Sequence, residues 1–188
     1  MKRILYPFIV ALFFIVVAFS FAQEEASLLK DAAALLEEGK LEEAQNIIDE
    51  VRLSLWNKAS MSCPVYCFTE EEPQMFGVYR KRISNTFAKD ETMYVYAEVR
   101  NYSILKEDGV YHIFFNLGYK VYDKGGNYLG GEESWENFRF LAQSPIYEMF
   151  LRLSFDFDIN PGEYFLEIIV RDGLSEKETS FKLPFKKV

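Results

Sequence analysis

The feature that most constrains this chain is a change in the spacing of its apolar residues at Trp56. Before it, from Glu24, the spacing is helical. Leu28, Ala32, Leu35 and Leu36 share one face, and Leu41, Ala44, Ile48, Val51 and Leu55 repeat at alternating steps of three and four on another. Gly39 stands between the two sets, where a residue with positive φ ends a helix. The spacing therefore predicts two antiparallel helices over residues 23–58. After Trp56 the period falls to two. Candidate strands are Gly77–Arg82, Thr92–Arg100, Tyr111–Asp123, Tyr128–Glu132, Glu136–Ala142, Glu148–Asp158, Tyr164–Asp172 and Glu178–Phe185. Turn signals such as "KEDG", "DKGGN" and "DGLSE" separate them. Aromatic residues make up 17% of the chain, and they favour strands over helices. Many strands without intervening helices predict an antiparallel β-sandwich over residues 59–188, preceded by the α-helical hairpin, so the fold class is mostly β.

The first residues bear on compartment. Lys2 and Arg3 precede the apolar run "ILYPFIVALFFIVVAFSF", and Ser20 and Ala22 are small residues at the −3 and −1 positions of a cleavage site. Residues 1–22 thus read as a signal peptide, and the remaining chain is expected to be periplasmic or secreted, without stable membrane insertion. An uncleaved anchor is the rival reading, because a run of this length just spans a bilayer. Removing residues 1–22 takes the net charge from −8 to −10. An acidic chain without a compact basic patch is a poor partner for phosphate backbones, so nucleic acid is not expected to bind.

Two resemblances follow from particular residues. "ALLEEGKLEEAQNIIDEV", with Gly39, Leu41 and Ala44, resembles the middle of a tetratricopeptide repeat, yet the sequence holds no second copy, and one unit does not build a solenoid. In "INPGEYFLEIIVRD", Pro-Gly followed by Tyr164 entering a strand resembles the tyrosine corner of immunoglobulin-like and fibronectin-like sandwiches. The body also resembles an uncharacterised β-sandwich domain of exported bacterial proteins. The residues that carry this are "FGVY" (Phe76–Tyr79), Phe87, Glu91, "YAEVRN" (Tyr96–Asn101), Asp123, Gly126, "PGEYFLEIIVRD" and Phe185. That resemblance implies a fold and a location, and no activity.

Residues able to do chemistry are few. Cys63 and Cys67 are the only cysteines. In an exported chain this pair is expected to form a disulfide; buried unpaired thiols, and a redox or metal role, stand as alternatives. The single histidine, His112, lies in an ordinary strand pattern, which leaves zinc chemistry and a catalytic triad short of partners. Asp156 and Asp158 alternate on one strand, where they are solvated edge charges or face a calcium ion or a basic partner. No pattern calls for a cofactor.

The aromatic surplus is the stronger signal. Tyr94, Tyr96, Phe114, Tyr122, Phe150, Phe165 and Ile169 fall on outward positions, and a second apolar face needs cover. The helical hairpin, with Leu41, Ile48, Val51 and Leu55 buried, is one expected cover. A protein or envelope glycan bound to a surface of Tyr94, Tyr96, Phe114, Tyr122, Phe150 and Phe165 is the other. The reading reached is a noncatalytic exported binding or assembly module of the bacterial cell envelope. An envelope-polymer hydrolase or its accessory domain, or a self-associating structural subunit, are the competing classes. Amino-terminal sequencing of protein from its native host is expected to begin at Gln23; a sequence beginning at Met1 would make residues 4–21 an anchor instead.

Overall fold

The computed structural model describes residues 23–188, so the proposed signal peptide lies outside the described residues. The chain forms two compact units, one ending at Leu55 and the other spanning Trp56–Val188.

In the first unit α1 is helical over residues 23–37 and α2 spans Leu41–Lys58, its last turn belonging to the second unit. The turn between them is fixed by Gly39, whose φ is 76°. Its amide donates to the Leu36 carbonyl at 3.1 Å and the Lys40 amide to the Leu35 carbonyl at 2.9 Å. This pair of bonds caps a helix through a left-handed residue, which only glycine adopts without strain. Far from the turn, the Ser54 hydroxyl donates to the buried Glu25 carboxylate at 2.5 Å, which sets the helices antiparallel. The stripe expected to be buried is covered only in part. Val51, Ala44 and Ala32 are buried, but Leu41, Ile48 and Leu55 remain 66%, 41% and 51% exposed.

The second unit is a two-sheet β-sandwich, antiparallel except for the short parallel pair of β2 with β9. Its strands are β1 (Ser62–Thr69), β2 (Thr86–Phe87), β3 (Met93–Arg100), β4 (Leu105–Glu107) and β5 (Val110–Asp123). They continue as β6 (Tyr128–Ala142), β7 (Met149–Phe155), β8 (Gly162–Asp172) and β9 (Glu178–Lys187). One sheet has the order β1-β3-β7. The other runs β2-β9-β8-β5, with β6 on the far side of β5 and β4 pairing the start of β5. The inner faces follow the alternation in the sequence. Val95, Ala97, Leu151 and Leu153 from the smaller sheet meet Phe115, Leu117, Leu166 and Ile168 from the larger, all buried. Each of these side chains other than Ala97 contributes roughly 1.5–3 kcal/mol on burial. Aromatic edges tie the sheets together, with Tyr119 against Phe155 at 5.4 Å and Phe68 against Phe185 at 6.4 Å. The tyrosine corner is present: the Tyr164 hydroxyl donates to the Asn160 carbonyl four residues earlier at 2.7 Å.

Some elements differ from the sequence reading. Gly77–Arg82 forms isolated bridges and turns instead of a strand. Tyr128–Glu132 and Glu136–Ala142 are one strand, β6, carried through an irregularity opposite β5. There Gly131 lies against the β5 backbone, since a Cβ on it would stand 2.1 Å from the Tyr119 carbonyl oxygen. The short β2 and β4 pass unnoticed in the sequence, as does β1, whose Pro64 lies in a register shift between Ser62 and Val65.

Lys187 closes the sandwich in an unusual way. It is 1% exposed, and its ammonium donates to the carbonyls of Ala88 and Lys89 at 3.0 Å and of Glu91 at 3.2 Å. Three carbonyl oxygens replace the water that a buried cation loses. Replacing Lys187 with Met keeps the stem and strands those acceptors. Urea unfolding is expected to show a loss of at least about 2 kcal/mol; an unchanged midpoint would mean the ammonium contributes nothing.

Candidate functional site

The residues expected to form one aromatic surface divide between the two sheets. Tyr94, Tyr96 and Phe150 lie on the outer face of β1-β3-β7; Phe114, Tyr122 and Phe165 lie on the outer face of the larger sheet. They make no single patch. Tyr96 is a correction. It is 0% exposed, because residues 75–82 fold over it. The Tyr79 ring stacks on it at 4.0 Å, Phe150 stacks on its other side at 5.6 Å, and the Gly77 amide donates to its hydroxyl at 2.7 Å. The hydroxyl in turn donates to buried Glu98 at 2.9 Å. The cover needed by this face is thus supplied in part by the chain itself.

Across the larger sheet the outward aromatics are also engaged. The Arg139 guanidinium sits 4.7 Å over the Phe114 ring, and that ring fills the space a side chain at Gly173 would need. Tyr122 donates to Glu167 at 2.8 Å under the Lys182 ammonium, 4.6 Å from the ring. Phe165 lies between Tyr122 and Pro184 in register, and the three form a half-exposed row across β5, β8 and β9. Ile169 is buried opposite Gly118, where β6 passes so closely that a Cβ would stand 2.6 Å from the Glu133 carbonyl oxygen.

The cysteines are the second correction. Both are free and buried, on the same strand, β1. Four residues of extended chain span about 13 Å, whereas a disulfide needs Cα atoms within about 7 Å. Strand geometry keeps them apart. Burial pushes the Cys63 thiol up to about 12 and raises Cys67 as well, an effect that the Lys81 ammonium partly offsets. The other chemical residues do not converge. His112 lies near the start of β5, between Leu105 and Leu141 in register. β7 ends at Phe155, so Asp156 and Asp158 fall outside it, and Asp158 pairs with Lys89 at 3.5 Å. Among the described residues no group of three or more His, Cys, Asp or Glu is placed to hold a metal.

A further site was not singled out in the sequence. β6 and β7 are the neighbouring edges of opposite sheets, joined by residues 143–148, and among the described residues β6 pairs only β5 while β7 pairs only β3. Between them is a groove of about 510 Å³. Its apolar lining comes from Phe138 and Phe140 of β6, and from Leu151 and Leu153 of β7. The two phenylalanine rings are nearly parallel, 11° apart in plane with centroids 6.4 Å apart. At one end Trp135 is clamped on Phe155 at 4.8 Å. Phe150, Arg152 and Glu72 form the outer lip, with Arg152 and Glu72 3.4 Å apart. Glu136 also lines the groove, and no ion pair among the described residues holds it. Strand alternation hides this site from sequence reading, since Phe138 and Phe140 look like core residues of a covered edge.

No protein-family model matches the chain, and no curated protein matches it. Several solved structures are distantly similar, two of them as follows. One is the CARDB domain of a Pyrococcus furiosus protein, in complex with di-metal ions, at 13% identity and a TM-score of 0.32, over 71% of this chain and 96% of that domain. The other is a family 123 glycoside hydrolase from Clostridium perfringens, at 9% identity and a TM-score of 0.36, over 69% of this chain and 27% of the hydrolase. At these TM-scores neither informs the chemistry of this chain.

The thiol geometry yields a direct test. At pH 8 burial holds both cysteines protonated, Cys67 on the outer face of β1 beside Tyr96, and the thiolate is the reacting form. Ellman's reagent is expected to titrate two thiols promptly in denaturant and to react with the folded protein at about a hundredth of that rate or less. Because the folded value of Cys63 lies above the ordinary thiol value of 9.0, its contribution to stability is complete below pH 9 and is lost as pH rises toward 12. Tyr96, raised to about 12 chiefly by burial, adds to the same alkaline loss.

Proposed function

We propose that this protein is an exported, noncatalytic binding or assembly module of a bacterial cell envelope, and that it holds its partner in the groove between β6 and β7. The observation that carries this reading is the groove itself. Apolar side chains are accessible there, at a break in the sandwich where two sheet edges lack neighbours. A volume of about 510 Å³ falls within the range of ligand sites. The lining favours binding over catalysis: Phe138, Phe140, Leu151 and Leu153 make up its apolar part, and its polar side chains, Gln74, Glu136 and Ser154 beside the Arg152–Glu72 pair, include no histidine or cysteine. Export is supported by the apolar run after Lys2 and Arg3 and by the small residues before Gln23.

The test compares the wild type with a Phe138→Ala/Phe140→Ala variant whose circular dichroism and melting are first shown to be cooperative. Immobilised wild type is expected to retain envelope material that the variant loses by about tenfold or more, a difference of about 1.4 kcal/mol. Equal retention would remove the groove from the reading. Soluble fragments released from envelope polymers by the wild type would replace binding with hydrolysis.

A further inference from the structure

We propose that the groove takes an extended polypeptide strand, alternating apolar and basic residues, which adds to the free edge of β7. This rests on the groove being the binding site and names its ligand class. β7 is seven residues long and pairs β3 on one side only. In an antiparallel pair, every second residue of an edge strand turns its N–H and C=O away from the sheet, so β7 offers a ready ladder to a strand of about the same length. A strand added there faces its inward side chains onto Phe138 and Phe140, which the sandwich leaves accessible. Main-chain bonds then supply affinity, and the alternate side chains supply selectivity.

Charge selects the occupant. Among the described residues the one cation lining the groove, Arg152, is taken by Glu72 at 3.4 Å, and no ion pair involves the exposed Glu136 carboxylate. Glu132 and Glu133 follow the same strand, on a chain of net charge −8. A basic strand is attracted to this mouth. A second copy brings the same carboxylates, and edge pairing through "GEESWE" would set like charges against each other. Gln74 and Ser154 also line the groove, so its polar groups alone do not select against a glycan; the free edge of β7 and the carboxylates favour a basic strand.

The experiment uses the purified full chain and fluorescent seven-residue peptides alternating lysine with leucine, read by anisotropy. The lysine peptide is expected to bind about tenfold or more tightly than its glutamate counterpart. Methylating the backbone nitrogens on one edge of the peptide should abolish binding, and on the opposite edge leave it intact, because only one edge meets β7. Glu136→Lys should weaken the lysine peptide and strengthen the glutamate one. Equal binding by both edge-methylated peptides, or no preference for lysine, overturns the proposal. So does displacement of the peptide by a peptidoglycan oligosaccharide alone, or a dimer in sedimentation that the peptide leaves intact. Should the peptides fail while envelope material is still retained through Phe138 and Phe140, the groove stands as the binding site and the strand proposal falls.

Discussion

The larger sheet depends on β5 having both of its edges occupied along most of its fourteen residues. On one side it carries β8 and, at its start, β4; on the other it carries β6. Its inward residues Ile113, Phe115, Leu117 and Val121 set the face against which the smaller sheet packs. A one-residue slip would turn this whole set to solvent, so burial fixes the register of β8 and β6 at once. The position of the groove follows. Because β6 ends the larger sheet and β7 ends the smaller one, the sandwich stays open along the line where those two edges meet.

Long strands with strict alternation were legible in the sequence. β3, β5, β8 and β9 lie within a few residues of their expected limits, and Tyr164 makes the corner bond that "NPGEY" implies. Gly39 marked the helical turn for the reason the structure shows, a left-handed backbone. These features are local, and local preference agrees there with the final fold. Features that depend on a distant neighbour were not legible. Tyr96 is outward by alternation and buried because residues 75–82 cross it. β1 was obscured by Pro64, whose missing N–H is tolerated at a bulge next to a single partner strand.

The groove was illegible for a related reason. Phe138 and Phe140 alternate as core residues do, and whether a strand covers them is decided by sheet order, which one sequence does not state. Outward apolar residues turned out to be a poor guide to a binding surface here. Phe114 and Tyr122 are engaged by Arg139 and Lys182 from their own sheet. The accessible apolar residues are inward ones at an edge.

The spacing of Cys63 and Cys67 has a consequence for how the chain must fold. In the finished strand the two sulfurs are held apart and shielded. In the unfolded chain they are four residues apart, flexible and free to meet. In an oxidising environment such neighbours close a small covalent ring readily, and an extended β1 is incompatible with that ring. Folding and oxidation therefore compete for the same segment. The native state wins only when β1 docks on β3 before an oxidant reaches the thiols, or when a reductant reopens the ring. Where the chain folds under oxidising conditions, redox poise during folding then bears on the yield of native protein.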